Sequence, residues 1–230
     1  MDQLRNTLHA ALDKRNGQIE TAPGSENESF FPLLGYHVGK LSGSEIPLIT
    51  GLEDAEPSIS DLKAFGAAFA TTSSAPMFHI KGITPEAAET RELEDGLPCL
   101  EIERRELSDC WSQLSTASDN SVGLISLGSP HFSLHEFAQL AQLCSGCRKH
   151  AHVDVVVTTS RAVYEEALNA GHIDALEVFG ARTITDTCWC MLGDPVIPAE
   201  GKNLMTDSGK YAHYAPGMEQ QGVHFGSLSA

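Results

Sequence analysis

The sequence predicts an α/β fold of three layers, with a mostly parallel sheet between helices, and three observations carry that expectation. Short β-branched or apolar runs at 122–127, 153–157 and 182–185 alternate with helix-length amphipathic stretches, the order that builds right-handed crossovers between parallel strands. Val155-Val156-Val157 is an unbroken apolar run, as expected of a strand covered on both faces. Several runs end in polar clusters, and the carboxyl ends of strands are where open α/β sheets bind ligands. No internal repeat or low-complexity segment interrupts the pattern.

Taken in order, residues 3–15 place Leu4, Leu8, Ala11 and Leu12 on one helical face and predict a helix. Residues 16–29 are turn formers and charges, hence a loop. Phe30, Leu34, Val38 and Leu41 are in register for a second helix over 30–41, and 46–49 reads as a short strand. Ser58 and Asp61 have capping-box spacing ahead of a helix over 62–70. The small residues Gly66, Ala67, Ala68 and Ala70 of that helix suit close packing on a sheet. Strands are predicted at 77–80 and 100–103, with a helix over 108–114. After the strand at 122–127, Gly128-Ser129-Pro130-His131 forms a loop feeding a helix capped by Ser133 and Glu136. Thr158-Thr159-Ser160 leads into a helix ended by Gly171. The strand at 182–185 follows, then a helix capped by Asp207 or Ser208 and stopped by Pro216-Gly217, and a last strand begins at Val223. Two regions result: a helix and polar loop over 1–28, and one α/β region over 29–230.

The charge balance narrows the function. With 31 acidic against 15 basic residues and a net charge of −16, the chain lacks the clustered Lys and Arg of a nucleic-acid binder. No apolar run of about 18 residues exists, so no membrane span is expected. The first residues, Met-Asp-Gln-Leu-Arg-Asn, have no signal-peptide core. A cytoplasmic location follows, and its reducing conditions favour metal or cluster binding, or plain burial, over disulfides for the six cysteines.

The chemistry concentrates between Thr183 and Gly217. One strand delivers Asp186, Thr187 and Cys188 at its end, and the next run delivers Thr206, Asp207, Ser208 and Lys210. Two neighbouring strand ends could bring a thiolate, a carboxylate, hydroxyls and an ammonium to one crevice. The plainer reading makes Cys188 a buried thiol and Lys210 a solvated helix residue. Ser129 and His131 sit in a loop before a helix N-terminus, either an anion site with free N–H groups or a tight turn whose serine merely caps. Cys144-Ser-Gly-Cys147 lies at the C-terminal pole of its helix, opposite to where a thioredoxin-type thiolate is stabilised. Zinc there would need two further ligands, for which only His150 and His152 are near. The pair therefore reads as one core thiol, Cys144, and one loop thiol, Cys147. His79, inside an apolar strand, reads as a core histidine. No GxSxG, GxxxxGK[ST] or HExxH occurs.

Phe-Pro-Leu-Leu-Gly-Tyr-His-Val-Gly (31–39), Leu-Lys-Ala-Phe-Gly-Ala-Ala-Phe-Ala (62–70), Phe-His-Ile-Lys-Gly-Ile-Thr-Pro-Glu-Ala (78–87), Gly-Ser-Pro-His-Phe-Ser (128–133), Thr-Asp-Thr-Cys (185–188), Met-Thr-Asp-Ser-Gly-Lys-Tyr (205–211) and Phe-Gly-Ser-Leu (225–228) together resemble the large subunit, or catalytic domain, of aconitase X. That family comprises hydro-lyases of the aconitase superfamily, including enzymes that dehydrate cis-3-hydroxy-L-proline and phosphomevalonate. The resemblance implies an iron–sulfur cluster (2Fe-2S or 4Fe-4S) with Cys188 as one of its three cysteine ligands. It implies Asp186 and Thr187 around that ligand, and a hydroxy-acid substrate near Lys210, Ser208, Asp207, Ser129 and His131, with Lys210 on the carboxylate. The family's other ligands fall outside the matched segments, one upstream of Phe31 and one just after Leu228. The catalytic hydroxyl belongs to a separate swivel subunit or domain, the implied partner. The chain is thus expected to be an interior piece of the enzyme, inactive by itself, or alternatively a non-catalytic truncated remnant that lacks the other cluster ligands. Segment 210–217 resembles the hydroxyproline branch more than the mevalonate one. Ser129 stands where relatives often have cysteine, and Cys190 is an additional thiol.

Overall fold

A computed structural model describes residues 7–12, 28–87, 98–197 and 203–229. The chain divides into two compact units, one built around Phe30–Cys110 and the other around Trp111–Ala230. Each contains a parallel sheet alternating with helices, and the three-layer α/β class expected from the sequence is the one observed.

The first unit holds β1 (Thr7–Leu12), α1 (Phe30–Ser42), β2 (Ile46–Thr50), α2 (Ile59–Thr72), β3 (His79–Ile80) and β4 (Cys99–Ile102), with strand order β3-β2-β1-β4. The helix expected over residues 3–15 is not formed at 7–12: these residues are a central strand, with Thr7 opposite Ile46 and His9 opposite Cys99. A short apolar run fits a helix face or a doubly covered strand equally well, and here pairing on both sides decides it. Residues 3–6 and 13–15 of the expected helix and 16–27 of the expected polar loop lie outside the described residues.

Helix α2 begins with the predicted capping box, the Ser58 side chain accepting from Asp61 N at 3.1 Å and Asp61 accepting from Ser58 N at 2.9 Å. Its close approach is to α1 rather than to a sheet. A Cβ on Gly35 would lie 2.9 Å from the Phe65 carbonyl carbon and nearer still to the oxygen, so the closeness depends on glycines of the other helix. Thr72 Oγ1 donates to Tyr36 O at 2.8 Å across the same seam. His37 Nδ1 lies 3.6 Å from the buried Cys110 thiol and its Nε2 3.7 Å from Glu106. Burial pushes the His37 pKa down and the Cys110 pKa up, so both groups are held neutral.

Helix α3 (Arg104–Leu114) starts before the predicted 108, and the division between the two units falls within it, after Cys110. The second unit then runs β5 (Leu124–Phe132), α4 (Leu134–Leu143), β6 (Asp154–Thr159), α5 (Arg161–Asn169), α6 (His172–Phe179), β7 (Arg182–Thr185), a 3-10 turn (Trp189–Met191), β8 (Leu204–Thr206), α7 (Gly209–Glu219) and β9 (Val223–Phe225). Its strand order is β7-β6-β5-β8-β9, all pairs parallel. Leu127, Phe132, Phe137, Val157 and Ile173 form a buried core between sheet and helices, each contributing about 1.5–3 kcal/mol by leaving water. At the β9 margin, Val223 N donates to Thr116 Oγ1 and Val223 O accepts from Ala117 N, both at 3.0 Å.

Within the second unit, three further features differ from expectation. Strand β5 continues through the predicted 128–131 loop, with its register shifting between Leu127 and Phe132. Gly171 (φ +79°) ends α5 as expected, but α6 follows it at once. Helix α7 runs past Pro216 to Glu219, with proline costing it the N–H that would reach Ala212.

Candidate active site

All five strands of the second unit point their carboxyl ends the same way, so the polar clusters that follow them gather along one edge of the sheet. The centre of that edge is the irregular end of β5. Gly128 takes φ +90°, and a Cβ there would lie 2.9 Å from Thr158 N and closer still to Thr158 O. Only glycine lets β5 turn while pressed against β6. The turn is tied down by hydroxyls, with Thr158 Oγ1 donating to Gly128 O and Thr159 Oγ1 to Phe132 O, each at 2.7 Å. Ser129 follows, and its Oγ is buried without a hydrogen-bond partner among the described residues. A serine hydroxyl left so is costly, and such a group at a strand end invites a ligand.

His131 Nε2 lies 2.6 Å from Thr187 O. A carbonyl only accepts, so Nε2 carries the proton. The bond joins the end of β5 to the segment after β7 that holds Cys188. Asp186 occupies the left-handed region at φ +57°, a conformation aspartate tolerates better than most residues. The turn swings its carboxylate onto the start of α5, where Oδ1 accepts from Arg161 N at 2.9 Å and Oδ2 lies 2.8 Å from Arg161 Nη2. Asp186 thereby helps cap a helix. Asp186→Ala is expected to destabilise the unit by about 1 kcal/mol, almost all from the lost cap because the ion pair is solvent-exposed. Denaturant titration checks it, and an unchanged midpoint would remove the assigned role.

Cys188 and Cys190 are both partly buried. Burial first, and then the neighbouring Cys188, push the Cys190 thiol up, while the Lys210 ammonium pulls the other way. Two thiols and one ammonium therefore lie within electrostatic reach. They are held by Trp189 between them, which is 0% exposed. It donates from Nε1 to Leu127 O at 2.8 Å and packs against Tyr211, the ring centroids 5.3 Å apart and the planes tilted by 35°.

Ser208, not Asp207, caps α7: its Oγ accepts from Tyr211 N at 3.0 Å and donates to Ser129 O. That second bond ties the end of β8 to the end of β5. Asp207 lines a hollow of about 330 Å³ whose walls do not include Cys188, His131 or Lys210. The strand tips thus bring together Ser129, His131, Thr187, Ser208 and the Cys188–Cys190–Lys210 cluster, while Asp186 turns to α5 and Asp207 to the hollow. Sequence reasoning missed Trp189, Arg161, Thr158 and Thr159. A tryptophan between two thiols was the available signal, since a buried indole N–H needs an acceptor.

Two family descriptions match the chain: Aconitase X second domain over residues 12–112 and Aconitase X third domain over residues 122–230. The chain belongs to the aconitase X family. Among curated aconitase X relatives, cis-3-hydroxy-L-proline dehydratase of Hypocrea jecorina is 53% identical over 207 residues, covering 88% of this chain and 35% of that protein. The Pseudomonas aeruginosa protein of the same name is 48% identical over 209 residues, covering 90% and 36%. The phosphomevalonate dehydratase large subunit of Methanothermobacter thermautotrophicus is 36% identical over 191 residues, covering 83% and 46%. The crystal structure of Thermococcus kodakaraensis aconitase X (holo-form) superposes with a TM-score of 0.81 at 27% identity, covering 97% of this chain and 53% of that one. The chain thus spans about a third of the length of the two hydroxyproline dehydratases. Among its described residues no helix is long and apolar enough to cross a membrane.

Proposed function

We propose that the chain is part of a cytosolic iron–sulfur hydro-lyase that dehydrates cis-3-hydroxy-L-proline, working with a swivel subunit or domain. The observation that carries the substrate is the ordering of the relatives: the two hydroxyproline dehydratases are 53% and 48% identical, against 36% for the phosphomevalonate enzyme of Methanothermobacter. Among the described residues no three His, Cys, Asp or Glu side chains stand together as a metal site. The residues present therefore fit one corner of a cluster, with Cys188 as the ligand and the remaining ligands supplied from outside the described residues. A bound cluster would supply an iron with an open position, a Lewis acid for the departing hydroxide.

The chain's own residues do the positioning. Lys210 presents a point charge for the substrate carboxylate, the local positive charge an anionic ligand needs against the repulsive field of a chain with net charge −16. Ser129 Oγ, buried and unpartnered among the described residues, offers a hydroxyl to a carboxylate or ring nitrogen. His131, fixed through Nε2 on the Thr187 carbonyl, holds the Cys188 segment against β5. Asp186 and Thr187 shape the backbone before the thiolate. Ser208 and Asp207 frame the start of α7, which carries Lys210.

The test uses the whole protein with its swivel partner, reconstituted with iron and sulfide without oxygen. Cys188→Ser is expected to lose the cluster's visible absorbance and at least about 100-fold of the water elimination from cis-3-hydroxy-L-proline. Lys210→Ala should keep the absorbance and raise KM. Full absorbance and turnover in the serine variant would end the cluster assignment, and turnover of phosphomevalonate instead would move the substrate.

A further inference from the structure

The hollow that takes in Asp207 has a second chemical feature. Its walls are largely apolar, with Leu127, Leu140 and Phe179 among them, and they include both Cys144 and Cys147. Helix α4 ends at Leu143, and Cys144 is its C-cap at φ −81°, ψ −7°. The next residues fold back, with Cys147 N donating to Cys144 O at 3.0 Å and Gly146 at φ +73°. A four-residue turn closed in this way keeps its first and last Cα atoms within about 7 Å. That overlaps the span of about 4.4–6.8 Å that a disulfide bridges. The two thiols differ in setting: Cys144 packs partly against the core, while Cys147 is exposed. Burial pushes the Cys144 thiol up, and Cys147 adds to the effect, placing the sulfurs within electrostatic reach of each other.

We propose that Cys144 and Cys147 are a redox modification site, closing to a disulfide by exchange with a low-molecular-weight disulfide of the glutathione class. The exposed Cys147 thiolate attacks one sulfur of the reagent, forming a mixed disulfide and expelling one thiolate. Cys144, after losing its proton to that thiolate, attacks the Cys147 sulfur and expels the second. Two protein thiols are oxidised, one small disulfide is reduced, and two small thiols leave with the two protons. The hollow keeps the core-facing sulfur of Cys144 within reach of the exchange. The site is independent of Cys188, and a reversible pair of this kind is compatible with a reducing compartment, where such bonds serve as transient sensors.

The full chain is equilibrated in glutathione buffers from fully reduced to fully oxidised, acid-quenched, alkylated and mapped by fragmentation mass spectrometry. Alkylation of Cys144 and Cys147 is expected to fall together about tenfold toward the oxidised end, with the peptide two hydrogens lighter and dithiothreitol restoring both thiols. In Cys147→Ser, an exposed change whose fold is checked by circular dichroism, Cys144 should remain alkylated at every ratio. Both thiols alkylated throughout, a glutathione adduct persisting on Cys147, a bond from either cysteine to Cys188 or Cys190, or a Cys147→Ser variant in which Cys144 is still protected would each overturn the proposal.

Discussion

Gly128→Ala is expected to destabilise the second unit by about 4 kcal/mol, at the upper end of single-substitution effects. Two penalties add. The residue sits at φ +90°, where a side chain costs about 1–2 kcal/mol. The new methyl would also run into the Thr158 backbone. Thr158 cannot step aside, because it belongs to β6, paired with β5 on one flank and β7 on the other, and its hydroxyl is already spent on Gly128 O. Gly171→Ala separates the penalties: Gly171 has φ +79° but nothing within 4 Å of its would-be Cβ, so it should lose only the backbone part, about 1–2 kcal/mol. Urea unfolding of the two variants decides it. Equal losses would mean that β5 does not press on β6 as described.

Trp189→Ala is expected to cost about 3–5 kcal/mol and to loosen the thiol segment around it. The indole is completely buried, packs at a tilt against the Tyr211 ring and satisfies the Leu127 carbonyl. Trp189→Phe keeps most of the ring but leaves that carbonyl without its indole donor, a loss of about 1 kcal/mol. Since Cys188 and Cys190 flank the anchor, the alanine variant should also react faster with a thiol reagent at these two positions, mapped by mass spectrometry. A stability loss below about 1 kcal/mol, with unchanged labelling, would show that the Cys-Trp-Cys segment is held by something else.

What could be read in advance follows from how local the signal is. Strands β6 and β9 fall at or beside the residues expected, because buried parallel strands write themselves as apolar or β-branched runs ending in polar clusters. Strand β7, an edge strand only partly buried, was still marked by its β-branched Thr-Ile-Thr run. The capping boxes at Ser58 and Ser133 also formed as spelled, since each is settled within four residues. Strand β1 was not legible. Its partners begin at Ile46 and Cys99, and a helix-like spacing of leucines says nothing about pairing so distant. The same limit holds at the strand tips. Thiol, ammonium, serines and histidine were visible as residue types, and His131 and Ser208 proved to be the ties between neighbouring strand ends. That Asp186 would turn to α5 depends on a left-handed backbone and on Arg161, 25 positions away. No spacing rule reports that.

The margin of the second sheet carries one more consequence. An open parallel sheet ends in a row of bare amides, an invitation for another chain to add itself as a further strand. At β9, Val223 has already spent both its amide hydrogen and its carbonyl on residues 116 and 117. An incoming strand would have to displace those bonds before gaining its own, so this rim is guarded against fibrous self-association.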